Sequence, residues 1–323
     1  MAAGVRLKAE RPTLRTVGAS MEFILSVVEG CYCPLVPAAG VANPRPAATV
    51  VVLRDSARGP EMFMVRRHEG TPFMGGAHVF PGGRVDPNDG DANDAWCDGM
   101  TDAAAQLPDL PPHEAVAFHV AAARELFEEA GILLARDRSG RIVSLADSGA
   151  HARFGSYRHD VHDGRASLGA ILEREQLRLA LDSLVLFAHW VTPPVDTRQF
   201  DTRFFMMRVP PEQVPVHDEA ETTHSAWLTP SAAIAQALSD TLVLPPPTWT
   251  TVRELEAFRT VDDALGWARA RRVVRREPKV VARDGVRMLL LPGDPDYDAD
   301  PGDDIPVESR FVFDTDRWRA RRP

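Results

Sequence analysis

Three glutamates in one short stretch, Glu125, Glu128 and Glu129 of "RELFEEAG", pose a chemical question before any fold is known. At about 100° per residue a helix carrying them gathers all three carboxylates on one face. Phe118, Ala121 and Ala122 share that face, whereas Val116, Ala123, Leu126, Phe127 and Ala130 point to the other. Glu125 and Glu129 are like charges four residues apart, which costs an isolated helix a few tenths of a kcal/mol. They also lie toward the helix end whose dipole favours cations. One reading is a solvated acidic face. The alanines beside the carboxylates favour another, because they leave room for a ligand. A hard divalent cation, bound through oxygens, is the natural group to stabilise the charge.

The element that must hold them is the strongest helix in the chain, from about residue 112 to 130. Pro111 and Pro112 suit its start and Gly131 a left-handed C-terminal cap. Upstream, "AATVVVLRD" and "EMFMVRR" read as strands joined by the turn "SARGP", and "FMGGAHVFPGG" has too many glycines for a regular element. Residues 84–111 are acidic and proline-bearing and read as loop. Downstream, "ILLA" predicts a buried strand, residues 165–182 a helix, and "LVLFAHWVTP" and "TRFFMMRV" two strands. "AWLTPSAAIAQAL" is a strand end entering a helix, with Thr229 as N-cap and Pro230 at the first helical position. Helices near 249–258 and 261–272 and a strand at "VRMLLLPGD" follow, then an acidic stretch. Strands and helices intermix, so the class is α/β or α+β. The expected organisation is an N-terminal extension over 1–45, a catalytic domain over 46–298 and a charged tail over 299–323.

Bulk properties narrow the function. With 323 residues, 44% of them hydrophobic, the chain can bury a sizeable core. A net charge of −9 argues against a general binder of nucleic acid or of anionic membranes. It leaves a polyanionic substrate open, since a bound divalent cation inverts the local sign. Cys31, Cys33 and Cys97 form neither an even disulfide framework nor a paired zinc pattern. With no apolar run of the roughly 18 residues that span a bilayer and no targeting signal, a cytoplasmic location is the default expectation.

"RELFEEAGI", Arg124 to Ile132, resembles the second half of the Nudix box, R-E-U-x-E-E-x-G-U with U apolar, at every fixed position. Gly83, preceded by Gly82, stands where that box begins. The resemblance implies an α/β/α sandwich with a mixed β-sheet, here with additional C-terminal helices. It further implies Mg²⁺ or Mn²⁺ held by Glu125, Glu128 and Glu129, Arg124 orienting a carboxylate, and water attacking a phosphoanhydride. The departure lies between the halves. The pattern G-x5-E-x7-R puts a glutamate where Asp89 stands and an arginine where Cys97 stands, so an insertion over 84–111 separates Gly83 from Arg124. Glu114 shares the helix face but lies about 16 Å from Glu125 along the axis, too far to share an ion.

A split box is similar to that of the Nudix-motif-19-type coenzyme A diphosphatase branch. "FMGGAHVFPGGRVD", "AHWVTPPVDTRQFDTRFFM", "LVLPPPTWTTVRELEAF" and "LLLPGDPDY" resemble its segments in order. The resemblance implies cleavage of coenzyme A or acyl-coenzyme A to 3′,5′-ADP and (acyl-)4′-phosphopantetheine, and carries the expectation of a homodimer. The coenzyme A signature before the glycines is partly met. Arg67, Gly76 and Phe80 to Gly83 match, while Val65, His68 and Pro72 depart from it. NADH, ADP-ribose, nucleoside triphosphates or RNA caps remain alternative substrates, and a non-catalytic ligand sensor a third reading. Glu221 stands where many family members place a strand glutamate near the metals, with His224 just beyond. Arg66 and Arg67 are candidates for substrate phosphates. The arginine-rich "WARARRVVRREPK" reads as a solvated helix end.

Overall fold

The computed structural model describes residues 43–71, 74–194, 198–218, 220–298, 305–315 and 317–322, with the backbone of strand β1 (Cys33–Pro34). Most of the expected N-terminal extension, Cys31 and Pro72 lie outside the described residues.

Strands β2 (Arg45–Ser56) and β3 (Gly59–Arg67) form the hairpin that their sequences predict. Successive residues of β2 go to opposite cores: Ala48, Val50 and Val52 to one, Val51 and Leu53 to the other. A strand apolar on both faces needs cover on both sides, and helices supply it. β9 (Val185–Val191) and β10 (Phe200–Arg208) extend the sheet, with β10 parallel to β2 and antiparallel to β9. Together with β11 (Thr222–Leu228) and β12 (Arg275–Arg276) the order is β11-β3-β2-β10-β9-β12. β2 pairs with β3 only over Leu53–Ser56. Over Ala47–Thr49 its partner is β5 (Gly82–Arg84), while β4 (His78–Val79) joins β3. The two glycines are thus laid against the middle strand of the sheet.

On one face of the sheet lies α2 (Pro112–Ala130), and on the other α5 (Pro230–Leu238), α6 (Pro246–Leu255) and α7 (Val261–Ala270). This is the expected α/β/α sandwich with a mixed sheet and C-terminal helices. α2 ends at Gly131, whose φ of 68° is left-handed as its C-cap role predicts. Its carboxylate face turns toward the sheet, with Phe118, Ala121 and Ala122 in the inner core. The other face is covered too: Val116, Ala123 and Phe127 pack on Leu168, Leu172 and Phe154.

That outer layer holds most of the departures from the sequence reading. Residues 84–111, expected as loop, contain a 3₁₀ turn at Pro87–Asp91, strand β6 (Cys97–Asp98) and helix α1 (Met100–Gln106), and Trp96, Cys97 and Ala103 are buried against α2. α3 (Ser148–His162) went unpredicted because it buries little beyond Phe154, Tyr157 and Val161, without an apolar stripe. The helix expected over 165–182 is only α4 (Leu168–Glu175). Gln176 turns left-handed and β8 (Arg178–Ala180) follows. "ILLA" is buried but hardly strand, since only Ala135–Arg136 pair as β7, with β8. The Gln213 side chain satisfies both Leu133 N–H and Leu133 C=O, doing the work of a neighbouring strand.

A second sheet joins β1, β13 (Lys279–Arg283), β14 (Val286–Leu290), β15 (Arg310–Asp314) and β16 (Arg317–Arg321). Arg310–Asp314 and Arg317–Arg321 are therefore paired strands where a charged tail was expected. Their arginines are matched across the chain, with Arg319 donating to Asp240 at 2.7 Å. Part of the arginine run is likewise folded in instead of solvated: Arg276 is 1% exposed and donates to Glu254 at 2.6 Å, and Arg271 stacks on Trp267. No helix among the described residues is long and apolar enough to cross a membrane.

Candidate active site

Two close approaches build the site. A Cβ at Gly82 would stand 2.3 Å from Ala48 O, and one at Gly83 2.3 Å from Glu125 Oε1. Only glycine lets β5 press on β2 from one side and the last turns of α2 press on β5 from the other. The Gly82 N–H then donates to Glu129 Oε2 at 2.8 Å, fixing the deepest carboxylate of the cluster. Glu125, Glu128 and Glu129 all gather beside this double-glycine turn, as the helical spacing predicts.

Arg124 is the hub. Its Nε and Nη2 donate to the two oxygens of Asp89 at 2.9 and 3.0 Å, and its Nη1 donates to Glu125 Oε1 at 2.9 Å and to Glu128 Oε1 at 2.8 Å. Nη2 also donates to Arg84 O at 2.8 Å, tying the hub to β5. Asp89, which stands where the pattern puts the first box glutamate, is 2% exposed. Its other anchor is the Asp86 N–H, which donates to Oδ2 at 2.8 Å. The box is therefore interrupted after Asp89, and its first half keeps its spacing from Gly83 with aspartate in place of glutamate.

The electrostatics are those of an acidic cluster short of positive charge. Burial, then the charges of Glu128 and Glu221, raise Glu125 to about 7 against the pull of Arg124. Burial and the Glu125 charge hold Glu129 well above its ordinary value. Asp89 is also raised by burial, against two hydrogen bonds from Arg124. Burial would weaken the Arg124 charge, but Asp89 and Glu125 outweigh it and hold the guanidinium firmly protonated.

Other candidates separate by strand alternation. Arg66 and Arg67 leave β3 on opposite faces: Arg66 pairs with Glu69 at 2.7 Å, while Arg67 faces the cluster, where its charge acts on Glu129. The Arg67 Nε is buried without a hydrogen-bond partner. Glu221 is exposed just before β11, yet near enough that its charge acts on both Glu125 and Glu129. His224 is exposed opposite Arg66 on the neighbouring strand, and Glu114 is exposed in the first turn of α2, so neither joins the cluster. Two residues of α3 escaped the sequence reading: Arg158 donates to Glu128 O at 2.7 Å, and His162 Nδ1 lies 3.8 Å from Glu128 Oε2. With α3 unrecognised, nothing in the sequence placed them here.

Among the described residues no three carboxylate, imidazole or thiol groups already form a ligand set. Arg124 holds Glu125 and Glu128, and Gly82 holds Glu129. The donor chemistry nonetheless suits a hard divalent cation: the buried oxygens carry more negative charge than Arg124 and Arg67 balance, which a small dication relieves.

The chain resembles characterised proteins over most of its length. The family described as the NUDT19 Nudix domain matches residues 98–255. The acyl-coenzyme A diphosphatase NUDT19 of Homo sapiens is 30% identical over 300 residues, covering 81% of this chain and 79% of that protein. The Gallus gallus protein of the same name is 29% identical, with 80% and 77% covered. A solved Nudix hydrolase from Alicyclobacillus acidocaldarius is 27% identical and superposes with a TM-score of 0.58, covering 70% of this chain and 97% of that one. With its glycine turn, its arginine hub and its three helix glutamates in place, the chain belongs to the NUDT19 branch of the Nudix hydrolase family.

Proposed function

We propose that the protein hydrolyses the phosphoanhydride of coenzyme A or acyl-coenzyme A, giving 3′,5′-ADP and (acyl-)4′-phosphopantetheine. Nudix hydrolases use divalent metal ions, and in this reading Mg²⁺ or Mn²⁺ is held by Glu125, Glu128 and Glu129. The bound ion offsets the charge of the diphosphate and makes a water more acidic. Arg124 keeps the cluster in register through Asp89, and Gly82 and Gly83 bring the backbone up to the diphosphate. Arg67 offers a guanidinium to phosphate oxygens. Glu221, at the open side of the cluster, is the candidate to accept a proton from water. The substrate assignment rests on one observation, the match to proteins named acyl-coenzyme A diphosphatase across about 80% of both chains.

The test is a substrate panel with Mg²⁺ and with Mn²⁺, following 3′,5′-ADP release by chromatography. Coenzyme A or an acyl-coenzyme A should be cleaved faster than NADH, ADP-ribose or nucleoside triphosphates. Far faster cleavage of any of the latter overturns the assignment.

A further inference from the structure

Beside Gly82 the fold encloses a cavity of about 450 Å³, within the range of small-molecule sites. Gly82 and Arg67 both line it, and both act on Glu129, so it adjoins the carboxylate cluster. Its long walls are apolar: Val191 and Phe204 come from the central sheet, and Val280, Leu289 and Trp318 from the second sheet. The C-terminal hairpin is thereby built into the wall of a chamber beside the site.

Two polar details say what the chamber takes. Trp190 lines it, is 3% exposed, and its indole N–H has no hydrogen-bond partner among the described residues. Arg67 lines it too, with the buried, unpartnered Nε already noted. A buried donor without an acceptor costs about 1–3 kcal/mol, so both donors would gain from a ligand oxygen that reaches them. The charged donor, next to Gly82, suits a phosphate oxygen. The neutral indole, among apolar walls, suits a carbonyl. A ligand with a phosphate at one end, then an apolar chain broken by amide carbonyls, satisfies both. Arg287 and the hydroxyls of Thr49, Thr192, Thr202 and Thr248 also line the chamber, but its surface is mainly apolar, which suits the arm better than a base with its phosphates.

We propose that this cavity is the subsite for the acyl-pantetheine arm, with Trp190 donating to an arm carbonyl and with Val280 and Trp318 limiting acyl length. The inference rests on the coenzyme A reading above and assigns the half of the substrate that the Nudix box does not contact. Three variants of the full chain test it, each first checked for native thermal unfolding. Trp190→Phe keeps the ring and removes the donor. Val280→Trp narrows the chamber, and Trp318→Ala widens it.

Steady-state kinetics with Mg²⁺ are compared for coenzyme A and for acyl-coenzyme A esters of increasing length. Inhibition constants for 3′,5′-ADP, which lacks the arm, and for 4′-phosphopantetheine, which is the arm, serve as internal controls. Trp190→Phe should raise KM for coenzyme A and the 4′-phosphopantetheine inhibition constant about three- to tenfold, with the 3′,5′-ADP constant moving less than twofold. Val280→Trp should lower the long-acyl to free coenzyme A ratio of kcat/KM at least tenfold, and Trp318→Ala should shift that ratio the other way. If both wall variants leave the ratio within twofold of the parent, or if Trp190→Phe weakens 3′,5′-ADP as much as 4′-phosphopantetheine, the subsite is wrong even though coenzyme A is cleaved. If the parent protein cleaves no coenzyme A derivative, the substrate reading itself fails, and the arm subsite with it.

Discussion

Replacing Asp89 by Asn isolates the contact that closes the interrupted box. The substitution keeps the size of a side chain that is 2% exposed and leaves one oxygen to accept from Arg124, but removes the charge that meets Nε at 2.9 Å and Nη2 at 3.0 Å. Breaking a buried ion pair by deleting one partner typically costs about 3–5 kcal/mol. Here Arg124 keeps Glu125 and Glu128 on Nη1, so the guanidinium is not stranded. The loss should then approach that of a charge-assisted hydrogen bond, about 2–3 kcal/mol. For a chain of this size that lowers Tm by roughly 3–5 °C.

The second consequence is chemical. Without Asp89, the Arg124 charge is drawn toward Glu125 and Glu128, the proposed metal ligands, so a cation would have to compete harder for them. The expected signature is a rise of about tenfold in the Mg²⁺ concentration for half-maximal hydrolysis, roughly 1.4 kcal/mol, with part of the lost rate recovered at high Mg²⁺. Thermal unfolding and a Mg²⁺ titration of turnover read both effects. Unchanged Tm with unchanged Mg²⁺ dependence would refute the hub role of Asp89. A rate loss that no Mg²⁺ concentration relieves would show that Arg124 does not act through the metal ligands.

Three further perturbations separate ligand, backbone and proton effects. Glu128→Gln should abolish Mg²⁺-dependent hydrolysis with Tm within a few degrees of the parent, and turnover like the parent's would remove Glu128 from the ligand set. A Gly82 Cβ meets Ala48 O and Thr49 Cα, both backbone, whereas a Gly83 Cβ meets the movable end of Glu125; Gly82→Ala should therefore lose more than about 2 kcal/mol of stability, and Gly83→Ala mainly activity, as paired unfolding and rate measurements would show. Glu125, raised to about 7 in the fold from an ordinary 4.5, binds more protons folded than unfolded, so the metal-free protein should lose stability as pH rises from about 4.5 to 7. Because the metal needs the ionised carboxylate, Mg²⁺ affinity should fall as pH drops below about 7, and Glu125→Gln should flatten the metal-free Tm profile across that window.

What the sequence revealed follows from how local each cause is. α2 was legible to its last residue because Pro112 and Gly131 act within one turn of its ends. β2 and β10 were legible because strands covered on both faces read as unbroken apolar runs. α3 carries too little apolar patterning to announce itself, and the strand pair Arg310–Asp314 and Arg317–Arg321 is pinned by Asp240, far away in the chain. The stretch before Ala135–Arg136 is similarly misleading, because Leu133 is bonded by the Gln213 side chain, 80 residues on, and not by a strand.

The interruption of the box shows the same division between local and distant causes. Asp89 and Arg124 are 35 residues apart, roughly four times the spacing of the uninterrupted pattern. Closure entropy grows only logarithmically, so two doublings of the connection cost on the order of 1.2 kcal/mol. A bidentate, buried carboxylate–guanidinium contact is of at least that size. The insert adds its own burial, since Trp96, Cys97 and Ala103 pack against α2 instead of hanging free. The reading of residues 84–111 as loop failed for that reason: their apolar residues are sparse among the aspartates, and the surface they cover is the far side of α2. A helix that must hold three like charges beside a glycine turn gains from being clamped on both faces, and the insert supplies the second face.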